Sequence, residues 1–156
     1  ETAWLHDVYD TAKAAGATAP LSVGFWKGVH HLREHPELSD ILNFHSYWMG
    51  GDADPDAWLA GLDACVELRE KTGKPLFCSE SCWGNVDDAK RLEILEFNLQ
   101  ELNRRDMGWF IHALAHSPIA DLHRPEAGPV QGPGVMHCVE PDGSIRPGHE
   151  VINDYL

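Results

Sequence analysis

The chain has 156 residues, 43% of them hydrophobic and six of them Trp, which suits one folded domain with a sizeable core and argues against a disordered chain. Its formal net charge is −13, from 25 acidic against 12 basic residues, and this disfavours nucleic acid or an anionic membrane surface as a partner. No apolar run is long enough to predict a membrane span.

Helical and strand periods alternate along the chain. Residues 2–15 place Trp4, Leu5, Val8, Tyr9, Ala12 and Ala15 at helical spacing, with Gly16 as the stop. Pro20–Trp26 reads as a strand, and residues 28–38 as a short irregular or helical piece. Ile41–Trp48 is the second predicted strand, closed by Gly50-Gly51. Asp54-Pro55 opens a helix whose buried stripe is Trp58, Leu62, Cys65, Val66 and Leu68, and Gly73 ends it. A strand follows in Leu76–Glu80, then a helix over 87–104 with Leu92, Leu95, Leu99 and Leu102 inward. Met107–Leu114 is the fourth strand, 116–146 a Gly- and Pro-rich loop with a tight turn at Asp142-Gly143, and His149–Tyr155 a last helical piece. Strands separated by helices imply parallel pairing. No charged-then-apolar leader opens the sequence, and localisation is left unassigned.

Several residue types invite a function and do not carry one. Cys65, Cys78, Cys82 and Cys138 form no Cys-x-x-Cys pair and read as small buried thiols, not a disulfide scaffold. The ten His show no His-Glu-x-x-His pattern, so no metal centre and no cofactor is expected. Asp52, Asp54 and Asp56 lack the glycine and closing Glu of a calcium loop and read as a solvated helix start. His116, His123 and His137 fall in the long loop and receive no role.

Pro75-Leu76-Phe77-Cys78-Ser79-Glu80-Ser81-Cys82-Trp83-Gly84 carries the most information. Strict alternation puts Leu76, Cys78 and Glu80 on one face, so a carboxylate follows two apolar residues at the C-terminal end of a strand. In parallel α/β proteins ligands bind at that end. Read alone, Glu80 is better taken to begin a loop and face water, and His45 to be an ordinary strand histidine; the neighbouring strands change the reading.

Three elements together resemble the second half of a retaining glycoside hydrolase of the large (β/α)8 clan that includes cellulases and mannanases (clan GH-A, family 5-like). They are His45-x-Tyr47 ending one strand, Ser79-Glu80-x-x-Trp83-Gly84 on the next, and Gly108-Trp109-Phe110-Ile111 on the last. The resemblance makes these strands six, seven and eight, with Pro20–Trp26 as strand five. Asp142–His149 matches the clan's last loop before its final helix. The whole chain, 1–156, is then a single partial domain, the C-terminal half of a TIM (β/α)8 barrel.

What the resemblance implies is glycosidase chemistry on β-linked polysaccharide or oligosaccharide, endo-glucanase- or mannanase-like. Glu80 becomes the nucleophile, with His45 and Tyr47 hydrogen-bonding around it. Trp83 and Trp26 become sugar platforms, and His112 stands where the clan carries a Trp beside the cleavage point. By alternation Trp48 and Trp109 face the helices, while Trp4 and Trp58 belong to helical core. Retention needs two carboxylates about 5–5.5 Å apart. The clan's acid/base Glu ends strand four in an Asn-Glu pair, for which this chain offers no strand. Its implied partners are a carbohydrate and the missing N-terminal half of the barrel. A lone half would expose its outer strands and barrel interior, so it should self-associate and lack activity. The alternative is a non-catalytic carbohydrate-binding or scaffold protein on the same fold; a metal-dependent barrel hydrolase is a third class, for which only His45 is placed.

Overall fold

The computed structural model describes residues 2–25, 29–115 and 135–156. In chain order the elements are α1 (Thr2–Ala14), β1 (Gly24–Phe25), α2 (Val29–Glu34), a 3₁₀ turn (Pro36–Leu38), β2 (Leu42–His45), α3 (Pro55–Thr72), β3 (Leu76–Ser81), α4 (Asp88–Arg104), β4 (Gly108–Ile111) and a closing 3₁₀ helix (His149–Tyr155). The four strands form one sheet in the order β1-β2-β3-β4, every neighbouring pair parallel. The expected alternation of strands and helices is therefore present, as an α/β fold compatible with part of a (β/α)8 barrel.

The two long helices begin and end where their chemistry dictates. Asp54 caps α3 by accepting from the Asp56 N–H, Pro55 fills the first turn, and Gly73 takes a left-handed φ of 67° while its N–H donates to Arg69 O. Asp87 caps α4 through the N–H groups of Ala89 and Lys90. One face of the sheet packs on α2, α3 and α4: Leu42, Phe44, Leu76 and Cys78 cluster with Leu32, Leu62, Cys65, Leu68 and Leu102. The opposite face carries Phe77 and Phe110, whose rings meet edge-on at 5.9 Å. Phe110 remains 63% exposed there, while Asn43, beside Phe77 on the same face, is buried.

The structure corrects three expectations. The first strand is only Gly24–Phe25, and Trp26 lies outside the described residues, as do 116–134 of the long loop. The backbone of Leu21–Val23 does run beside residues 39–41. Its N–H groups are taken by side chains, Leu21 N–H by Asp40 Oδ2 at 2.8 Å and Val23 N–H by Ser39 Oγ at 3.0 Å, instead of by a strand ladder. β2 and β4 are likewise shorter than predicted, because pairing stops where the chain turns out to the rim.

Second, Trp4 is 64% exposed and no residue of α1 is buried, so this helix contributes no core. It is held by polar contacts, with the Tyr9 hydroxyl donating to Asp40 Oδ1 at 2.8 Å and Lys13 paired with Asp40 Oδ2.

The closing helical piece lies where it was expected, His149–Tyr155, and has 3₁₀ pitch. Three residues per turn align His149, Ile152 and Tyr155, and Ile152 and Tyr155 pack against Leu95 and Leu99 of α4.

Third, Leu76, Cys78 and Glu80 do not share a face. Phe44 pairs with Cys78 but His45 pairs with Glu80, so β3 holds one extra residue, Ser79. The β3–β4 register shows the same surplus, since three steps from Cys78 to Ser81 match two from Trp109 to Ile111. A bulge of this kind re-aims the following side chain. Glu80 is turned off the Leu76/Cys78 face and onto the face of His45.

His149 gives the fold an acid sensitivity. The side chain is 1% exposed, its Nδ1 lies 3.0 Å from Pro147 O, and its Nε2 has no partner among the described residues. Burial, reinforced by the nearby Arg146 and Arg91, holds its pKa below the usual 6.5 against the opposing Pro147 contact. The unfolded chain then takes up a proton near pH 6.5 that the folded chain refuses, so stability falls as pH drops through that value. Urea midpoints should decrease from about pH 7 to about pH 5, with a shallower slope in His149→Gln.

Candidate active site

The candidate site is assembled at the C-terminal ends of β2 and β3. His45 is the last residue of β2 and Glu80 is its lateral partner on β3. Ser46 N–H still donates to Glu80 O at 3.0 Å, which carries the chain over to Tyr47. The Tyr47 hydroxyl donates to Glu80 Oε2 at 2.5 Å. His45 Nδ1 stands 3.3 Å from the same oxygen, within ion-pair range but off hydrogen-bond direction. Oε1 has no protein partner among the described residues. Glu80 keeps 33% of its side chain exposed and His45 19%, so the carboxylate remains reachable by solvent while Tyr47 holds one of its oxygens.

Burial, then the adjoining Glu80 carboxylate, pushes the Tyr47 phenol well above its ordinary pKa. It therefore remains a proton donor across the physiological range. A charge-assisted O–H···O⁻ bond of this length is among the stronger neutral-to-ion contacts. On its other side Tyr47 meets Trp83 edge-on, ring centres 5.2 Å apart, and His112 at 6.5 Å. His45, Tyr47, Glu80, Trp83 and His112 are thus brought together in one cluster; Trp26 lies outside the described residues. Trp48 and Trp109 are turned away from it, Trp48 buried and Trp109 packed on the core with its indole N–H on Asn103 Oδ1 at 2.6 Å.

Two residues that matter to this rim were not singled out from the sequence. Arg91, on α4, is fully buried, and its guanidinium donates to the carbonyls of Cys82, Trp83, Met136 (2.7 Å) and His112 (3.4 Å). Those carbonyls belong to the ends of β3 and β4 and to the closing segment. Cys82 itself sits at φ 65°, a left-handed conformation that costs a residue with a Cβ. Asn98, also buried on α4, exchanges two 3.3 Å hydrogen bonds with the backbone of Trp48 and so fixes the exit of β2. The signal was present in the spacing: Arg91, Leu95, Asn98 and Leu102 share one helical stripe, and two polar residues on an apolar stripe mark buried hydrogen-bonding work.

No protein-family model matches the sequence, and neither does any curated protein sequence. Among solved structures, the chain is similar to the β-glucuronidase of Faecalibacterium prausnitzii, with a TM-score of 0.61 and 17% identity. The match takes in 96% of this chain and 27% of that one. The two share a fold over this region. The chain spans about a quarter of the length of the enzyme it resembles.

Proposed function

We propose that residues 1–156 are the nucleophile-bearing C-terminal half of a (β/α)8 barrel glycosidase that cleaves β-linked glycans with retention. The observation that carries the reading is the convergence on Glu80 Oε2 of a tyrosine hydroxyl at 2.5 Å and a histidine nitrogen at 3.3 Å, at the C-terminal ends of adjacent parallel strands. Similarity of fold to a solved β-glucuronidase supports the barrel. The partly exposed apolar face at Phe77 and Phe110 is what a barrel interior presents when half of its strands are elsewhere.

In this reading both partners occupy Oε2, which leaves Oε1 to attack the anomeric carbon. The glycosidic C–O bond breaks as the acid/base carboxylate, supplied by the preceding half of the barrel, protonates the leaving oxygen. Water, deprotonated by that same group, then attacks the anomeric carbon of the glycosyl ester and releases Glu80 as a carboxylate. Tyr47 aims Glu80 by holding one of its oxygens; it receives no proton of the reaction. Trp83 offers an aromatic wall to the sugar, and His112 a hydrogen-bonding edge where the resemblance calls for an indole. The substrate class we favour is β-glucan or β-mannan, with β-glucuronide as the comparison the solved neighbour recommends. His112 favours a second reading, a glycan-binding protein without turnover.

The test uses the complete chain that carries residues 1–156, assayed on aryl β-glucosides, β-mannosides and β-glucuronides. A 2-deoxy-2-fluoroglycoside that turns over slowly should leave an ester on Glu80, visible by peptide mass spectrometry. Sugar binding with neither turnover nor ester would replace the enzyme by the binding protein. Tyr47→Phe removes only the hydroxyl and should lower kcat by about 10–100-fold with a smaller change in KM, since a charge-assisted hydrogen bond contributes roughly 1.5–3 kcal/mol. An unchanged kcat would show that Tyr47 does not act on the carboxylate.

A further inference from the structure

We propose that His6, His35 and Glu37 form a binding site for a borderline-soft divalent metal ion of the Zn²⁺ class, fastening α1 to the 3₁₀ turn before β2. His6 Nε2 and His35 Nδ1 each lie 3.4 Å from the same oxygen, Glu37 Oε1. One ligand atom from each of the three residues falls within a common 4.8 Å span. Metal–ligand bonds of about 2.0–2.1 Å at tetrahedral angles put neighbouring ligand atoms about 3.3 Å apart. Two of the three edges of such a site are therefore already at the required length. The two imidazole rings stand edge-on, centres 6.3 Å apart, with the carboxylate oxygen serving both.

The donor set decides the class of ion. Two imidazoles and one carboxylate suit Zn²⁺, Co²⁺, Ni²⁺ or Cu²⁺, whereas Mg²⁺ and Ca²⁺ ask for oxygen ligands. The site was illegible to motif reading because its ligands come from separate elements and lack the i, i+4 histidine pair of a helical site.

The surroundings say what the ion would do. α1 buries no residue and reaches the domain through Tyr9, Lys13 and His6. A metal bridging His6 to His35 and Glu37 would replace a weak exposed ion pair by coordinate bonds, stabilising the docked helix by mass action. Glu37 precedes β2 and His45 ends it, so the site lies at the other end of the strand from Glu80 and stands independently of the glycosidase reading.

The experiment uses the complete, untagged chain stripped with a chelator. Zn²⁺ is titrated calorimetrically and Co²⁺ by absorption, for wild type, His6→Ala and Glu37→Gln. The expected result is a one-equivalent site with intense tetrahedral d–d bands, weakened about tenfold or more in each variant, since each removes one of three ligands. Zn²⁺ should raise the melting temperature of the wild type more than that of either variant at the same metal concentration. The three side chains are solvent-exposed to differing degrees, and the metal-free forms should melt alike, so loss of binding will not be confused with loss of fold. Absence of Zn²⁺ binding, equal binding by the variants, or equal preference for Mg²⁺ would each overturn the proposal.

Discussion

Glu80→Gln in the complete chain should lower kcat/KM on its best aryl β-glycoside by about 10⁴-fold or more, equivalent to roughly 5.5 kcal/mol of lost transition-state stabilisation. Glutamine keeps the volume of the side chain and an oxygen able to accept the Tyr47 hydroxyl, so the network seen at 2.5 Å can persist. What it removes is the anion that attacks the anomeric carbon. Melting temperature should stay close to wild type, which separates a chemical loss from a structural one. A second variant makes the role specific. Glu80→Ala opens room beside Tyr47, and added azide should restore turnover by attacking in place of the carboxylate, giving a glycosyl azide of inverted configuration. Retention of activity in Glu80→Gln would remove Glu80 from the chemistry altogether.

Arg91→Met should cost about 3–5 kcal/mol of stability, read as a drop in urea midpoint at unchanged m. Methionine fills much of the same space, so the loss is not a cavity effect. Replacing a buried ion pair by apolar residues is often harmless because both partners leave together. Here the partners are backbone carbonyls of Cys82, Trp83, His112 and Met136, which no side-chain change removes. Each is left to find water or to stay unsatisfied, at roughly 1–3 kcal/mol apiece where water does not reach. The left-handed turn at Cys82 would also lose the contact that holds it. Arg91→Lys can reach some of the four carbonyls and should fall between wild type and Arg91→Met. If Arg91→Met unfolds at the wild-type midpoint, the guanidinium is not what holds the rim.

The parts of this molecule written in local chemistry were legible from the sequence. Asp54-Pro55 and Gly73 bracket α3 because a cap, a first-turn proline and a left-handed stop each act within a few residues. The parallel order of strands followed from their separation by helices, and the meeting of His45, Tyr47 and Glu80 followed from that order together with a family resemblance. The parts that escaped depend on relations between elements. Trp4 has helical spacing, but spacing says nothing about whether a neighbour stands opposite, and at α1 none does among the described residues. Pro20–Val23 has strand composition, yet Ser39 and Asp40 take the hydrogen bonds a ladder would need. Alternation placed Glu80 with Leu76 and Cys78, and only the two flanking registers reveal the extra residue that moves it.

That extra residue makes the address of the carboxylate a matter of parity. Since side chains change sides at every step, the face Glu80 occupies depends on how many residues precede it in β3, and only weakly on which ones they are. Point substitutions at Ser79 leave the count intact and leave Glu80 where it is. Removal of Ser79 would set Glu80 directly after Cys78, where plain alternation still turns it to the His45 face, whereas regular pairing with Ser79 kept would carry it to the helix side and empty the place beside Tyr47. Relatives that keep this site can therefore carry either the bulge or one residue fewer before the carboxylate, so a one-residue alignment gap here does not by itself argue against the site.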